Sequence, residues 1–126
     1  MTINILRYTR EITCAIRDAE KQSDISQIEA ANLHRMVESS SSAKSTMAII
    51  TAKGTPDFLY AALYFSTRVW ALSESAHRDD DAQAGYKLAQ FLVRKESSTN
   101  DPYWTAKLLR ELYDAHVESI QGNDAV

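Results

Sequence analysis

Two spacings in this chain set a histidine near a residue with which it could do chemistry. Glu74-Ser75-Ala76-His77 has the form Glu-x-x-His. On a helix that spacing puts a carboxylate and an imidazole on one face, as carboxylate-bridged di-iron bundles require. Such sites need a second pair and further glutamates, and no second Glu-x-x-His occurs. The pair therefore reads as a solvated polar helix end. Arg110 and His116 are six residues apart. In one unbroken helix they diverge by about 120°. His116 is four residues from both Leu112 and Ile120, which sets it beside an apolar face. No nucleophile–base spacing, phosphate-cradling glycine loop or zinc motif is present, so no cofactor or metal site is expected.

The residue types that could bind rather than react are better organised. On a helical wheel Arg7, Arg10, Arg17 and Lys21 fall within a sector of roughly 80°. Ile5, Ile12, Ile16 and Ala19 lie opposite. A basic row on a rigid rod suits a phosphate backbone or an acidic partner. Tyr60, Tyr64 and Arg68 repeat at four-residue spacing. They could stack on bases with the arginine at a phosphate, or form a snorkelling arginine packed along two half-buried tyrosines. Lys87 and Arg94 share a face, with Lys95 adjoining, and read as solvated charges.

Composition limits what such a surface can do. The chain has 126 residues with 14 basic and 17 acidic side chains, a formal net charge of -3. That argues against a sequence-blind nucleic-acid binder acting alone and leaves room for a local basic track inside a larger assembly. A single cysteine, Cys14, allows no intrachain disulfide and no thiolate cluster. Asn4 and Arg7 interrupt any leader-like apolar run, and no stretch approaches the ~20 apolar residues of a membrane span. A soluble cytoplasmic protein without membrane contact is expected.

The elements that must position these residues are helices. Three glycines and two prolines leave little room for hairpins. The expected fold is all-α, one domain over residues 1–126 of five or six helices around a central apolar helix. Thr2 caps a first helix running to about Gln22. Asp24, with Gln27 three residues on, opens a second that the Ser39–Ser42 run ends. Ile25, Ile28, Leu33 and Met36 form its apolar side. A short third helix covers Ala43 to Ala52, stopped by Gly54. Thr55, Pro56 and Asp57 start the central helix, which reaches about Ala76. Phe58, Ala62, Phe65, Val69 and Leu72 form one face, widened by Leu59, Leu63 and Trp70. A fifth helix begins in the run Asp79–Asp81 and extends to about Lys95, with Leu88, Phe91 and Leu92 inward. Asp101 and Pro102 start a sixth, buried through Trp104, Leu108, Leu112 and Ile120 and ended by Gly122. Residues 123–126 form a fraying tail.

The segment Ala43-Lys44-Ser45-Thr46-Met47-Ala48-Ile49-Ile50-Thr51-Ala52-Lys53-Gly54, followed by Tyr60-Ala61-Ala62-Leu63-Tyr64-Phe65, resembles the small α-helical subunit of type III CRISPR effector complexes. In that family a short helix with paired aliphatics leads to a glycine and then to an Ala-Leu-x-Phe-like run. Ile49-Ile50, Gly54 and Ala62-Leu63-Tyr64-Phe65 match the layout. Met47 stands where it has a proline, Thr51 where a basic residue is common, and Thr55-Pro56-Asp57 is inserted. The resemblance implies a subunit without catalytic activity that stacks along a ribonucleoprotein filament, touches the backbone of a guide–target duplex and joins larger protein subunits. Matching positions nominate Lys44 and Lys53 as contacts, whereas the stripe on the first helix comes from periodicity. Two alternatives differ in class. One is a small homo-oligomeric or partner-inhibiting helical protein. The other rests on Arg110 and His116, whose spacing loosely resembles that of helical ribonucleases of the HEPN class.

Overall fold

A computed structural model describes the backbone of residues 2–4, 8–42, 46–48, 57–96 and 102–124. Helices dominate: α1 (Thr9–Lys21), α2 (Gln27–Ser42), α3 (Asp57–Ser75), α4 (Asp79–Glu96) and α5 (Pro102–Asp124). They pack on one another as an all-α bundle. Two three-residue strands, β1 (Thr2–Asn4) and β2 (Thr46–Ala48), pair antiparallel with Ile3 opposite Met47.

The pairing corrects two expectations. Thr2 lies in β1 rather than capping α1, which begins at Thr9. Thr46–Ala48 is extended, so no helix runs from Ala43 to Ala52. Their backbone groups bond to a segment far away in sequence, and helical periodicity carries no information about such a partner. Gly54, Thr55 and Pro56 lie outside the described residues. At the other end α5 continues through Gly122 to Asp124 instead of stopping there.

Helix α2 starts two residues later than the Asp24 reading, on a reciprocal cap. The Glu29 amide donates to the Ser26 hydroxyl at 3.1 Å, and the Ser26 amide donates to the Glu29 carboxylate at 2.9 Å. Two end donors of the helix are thereby satisfied. The Ser39–Ser42 run is helical and forms the last turn of α2. Its buried side is Ala30, Leu33 and Val37, whereas Ile28 is 75% exposed.

The turns after α1 and α3 share one geometry. Ser23 and His77 both have left-handed backbones, at φ 62° and 60°. After α1 the Asp24 amide bonds to the Ala19 carbonyl and the Ser23 amide to that of Glu20. After α3 Arg78 bonds to Ser73 and His77 to Glu74 in the same pattern. Each pair of bonds satisfies helix-end carbonyls and reverses the chain within a few residues.

The core is built on α3 and α4. Five consecutive residues of α3, Leu59 to Leu63, are all buried, as expected for a helix surrounded by others. Phe58 and Leu72, assigned to its inner face, are 44% and 38% exposed; they sit in its first and last turns. Helix α4 packs on all four other helices. Leu88, Phe91 and Leu92 face inward as their spacing requires, with Leu108 and Leu112 of α5 also buried. Trp104 and Ile120 have side chains outside the described residues. Ser66 and Thr67 are buried on α3 and bond back to the Leu63 carbonyl, which removes the penalty of burying a hydroxyl.

Candidate functional site

Helix α1 presents two opposed faces. Ile12, Ala15, Ile16 and Ala19 are buried against the bundle, while Arg10, Cys14, Arg17 and Lys21 are exposed in a row. The rise of a helix places Arg10 about 10 Å from Arg17 along the axis, and Arg17 about 6 Å from Lys21. Among the described residues no carboxylate pairs with these three cations. Asp18, which flanks the row, is turned to Lys95 of α4 at 3.2 Å. Arg7, the fourth member of the expected stripe, lies outside the described residues, as do Lys44 and Lys53.

The cations of α4 behave differently. Lys87 pairs with Glu29 at 3.1 Å, Arg94 with Asp24, and Lys95 with Asp18. These half-exposed pairs tie α4 to α1 and to the start of α2, each worth up to about 1 kcal/mol. Glu29 carries both the helix cap and the Lys87 pair. Burial alone would raise its pKa, but hydrogen bonds from Ser26 and Lys87, with the lysine's charge, outweigh it and hold the carboxyl below the usual glutamate value.

The tyrosine–arginine edge of α3 does not form a stacking platform. Tyr60 is 5% exposed and belongs to the core. Arg68 donates to the Tyr64 hydroxyl at 3.1 Å, and its guanidinium carbon lies 6.0 Å from the centre of that ring. The arginine is laid along its own helix, the snorkelling arrangement that the spacing also permitted.

Arg110 and His116 are not brought together. Arg110 is exposed, while His116 is 7% exposed and packs on Tyr64 with ring centres 4.7 Å apart. Burial lowers the imidazole pKa most, the Arg68 charge lowers it further, and a hydrogen bond to the Tyr64 backbone opposes both, leaving it at about 4. The ring is neutral at pH 7, and its Nε2 is buried without a partner among the described residues. A base so placed does not reach a phosphodiester in solvent.

Glu74 and His77 are likewise separated in role. Glu74 sits in the last turn of α3, whereas His77 lies beyond the helix in its left-handed turn. The shared helical face required by Glu-x-x-His is therefore not formed. Glu74 accepts from the Trp70 indole at 3.1 Å and the Tyr113 hydroxyl at 2.9 Å. Trp70 stacks on Tyr113 with centres 4.0 Å apart and meets the edge of Tyr86 at 4.9 Å. Burial, then the bond to Glu74 and the charges of Glu74 and Asp114, raise the Tyr113 pKa. This cluster locks α3 to α4 and α5. Only its Trp70–Glu74 step, four residues long, is visible in the sequence. No group of three or more His, Cys, Asp or Glu among the described residues is placed to hold a metal ion.

No helix among the described residues is long and apolar enough to cross a membrane. No family model, curated protein or solved structure matches this chain.

Proposed function

We propose that this chain is a non-catalytic assembly subunit of a ribonucleoprotein and that it meets the nucleic-acid backbone through the exposed edge of α1. The observation that carries this reading is the contrast between two sets of cations. Arg10, Arg17 and Lys21 stand in a row with no described carboxylate partner, while Lys87, Arg94 and Lys95 are each neutralised within the fold. Contacts of this kind position a backbone without reading its sequence. With a net charge of -3 the chain needs larger subunits beside it to hold a polyanion. That is the role its resemblance to type III CRISPR small subunits implies, and it would be carried out in the cytoplasm. Arg7, Lys44 and Lys53 extend the proposed contact set; Arg68, laid along Tyr64, is its weakest member.

The test is a native pull-down from the cells that make the protein, divided into nuclease-treated and untreated halves. Co-purifying RNA and larger subunits are expected. Arg10→Glu with Arg17→Glu should leave the circular dichroism spectrum unchanged and remove the protein from the complex. In a reconstituted complex, three phosphate contacts contribute a log–log salt slope of roughly -2 to -3. A complex that retains the double variant would overturn the reading. A second reading, a homo-oligomeric or partner-binding protein using apolar surface, is favoured by the exposure of Ile28 and Phe58. It predicts a stable, nuclease-insensitive oligomer indifferent to the same charge reversals.

A further inference from the structure

A groove of about 380 Å³ runs between α2, the second half of α3 and the start of α4, and no residue of α1 lines it. Its apolar surface includes the half-buried Met36 and the exposed Leu72, the latter 38% exposed. Arg35, Arg68 and Arg78 line the groove together with one carboxylate, Asp81, while Asp79 and Asp80 lie beyond its Arg78 end. Arg35 donates to the Asn32 side-chain carbonyl at 3.0 Å and Arg68 to the Tyr64 hydroxyl. These neutral partners orient the guanidiniums without cancelling their charge. Among the described residues none of the three arginines pairs with a carboxylate.

We propose that this groove receives an acidic amphipathic helix from a partner protein. An aliphatic or aromatic side chain would enter between Met36 and Leu72, and glutamates or aspartates on the flanks of the same helix would meet the arginines. A guanidinium accepts a carboxylate through two parallel hydrogen bonds, so an arginine rim selects acidic side chains. An apolar floor with charged flanks is the form taken by grooves that bind helices. The volume lies within the range of sites that enclose side chains or small ligands. A nucleic-acid backbone fits less well. The floor offers no open aromatic face for a base, since Phe65 is buried.

The probe is a fluorescein-labelled helical peptide of about 15 residues, with leucine and phenylalanine on one face and glutamates beside them. Its twin carries lysine for each glutamate. The acidic peptide should bind the full chain, shift the Met36 methyl resonance and resist displacement by a short oligouridine. Arg35→Glu with Leu72→Glu should weaken it by about tenfold or more while leaving the circular dichroism spectrum unchanged. Arg78→Glu, in an exposed turn, should act in the same direction and serves if the double variant folds poorly. Absence of binding, equal binding of the lysine twin, displacement by oligouridine, or indifference to Arg78→Glu would each overturn the proposal.

Discussion

Gly85 of α4 lies so close to Trp70 of α3 that a β-carbon on it would stand 2.7 Å from the Trp70 backbone nitrogen. The same carbon would be 2.8 Å from the Ser66 carbonyl oxygen. Both obstacles are backbone, so relief requires the helices to part. Alanine gains about 1 kcal/mol of helix propensity over glycine, but overpacking costs roughly 1–3 kcal/mol. Gly85→Ala should therefore destabilise on balance, and Gly85→Val more strongly. Urea denaturation should show a lower midpoint at unchanged slope. An equal or higher midpoint would mean that α3 and α4 are not in this contact.

Ser23 and His77 suggest the opposite kind of substitution. A left-handed backbone costs a residue with a β-carbon about 1–2 kcal/mol, whereas glycine adopts it freely. Part of that gain is returned because glycine has more freedom in the unfolded chain. Ser23→Gly and His77→Gly should each stabilise by roughly 0.5–1 kcal/mol, read as a rise in thermal midpoint. A loss of stability in His77→Gly would show that the imidazole makes a contact outweighing the strain.

His116 makes stability depend on pH in a defined window. Its folded pKa, about 4, lies below the ordinary 6.5. Between those values the unfolded chain holds a proton that the folded one does not, so stability falls as pH drops through the window. The contribution is fully present above 6.5, and the loss approaches about 2–3 kcal/mol near pH 4. Tyr64 and Arg68 face the ring, so protonation also sets a new charge beside a guanidinium. His116→Gln should flatten the stability profile between pH 4 and 6.5 relative to the parent chain. A parallel profile would remove His116 as its cause.

The Ser26–Glu29 cap and the Lys87–Glu29 pair can be separated by substitution. Glu29→Gln preserves the reciprocal cap but not the ion pair, and should cost less than about 1 kcal/mol. Ser26→Ala removes the hydroxyl acceptor and should cost about 1 kcal/mol. Because the Glu29 pKa is depressed on folding, its contribution is present above 4.5 and fades as pH falls through the folded value. Glu29→Gln should abolish this portion of the acid sensitivity, measured by denaturation across pH 3 to 6 against the Lys87→Met variant.

The parts of this fold legible in the sequence are those decided locally. Asp79–Asp81 and Pro102 mark helix starts because charge and φ act on their own turn. The exposure of Arg10, Arg17 and Lys21 follows from Ile12, Ile16 and Ala19 taking the inner face. His116 sits at the core edge, as its spacing from Leu112 requires. Features that depend on a distant partner were not legible. Nothing near Thr2 names Ala48, and nothing near Lys95 names Asp18. Tyr60 reads as half-buried or base-stacking, and it is buried because α3 is covered on more sides than one apolar face suggests. The turns at Ser23 and His77 escaped because glycine is the usual signal there, and neither position has one.

The three ion pairs of α4 also bear on the order of assembly. They join residues 58, 70 and 77 positions apart, whereas α3 and α4 meet across the short turn at residues 76–78. Local contacts form at small cost in chain entropy, and distant ones must first close a long loop. The α3–α4 hairpin is thus the natural nucleus, and α1 with the start of α2 docks on it after the transition state. In stopped-flow mixing, Asp18→Asn and Asp24→Asn should accelerate unfolding and leave the folding arm of the chevron in place. Added salt should do the same, which makes the seam between the amino-terminal helices and α4 the point where the native state first lets go.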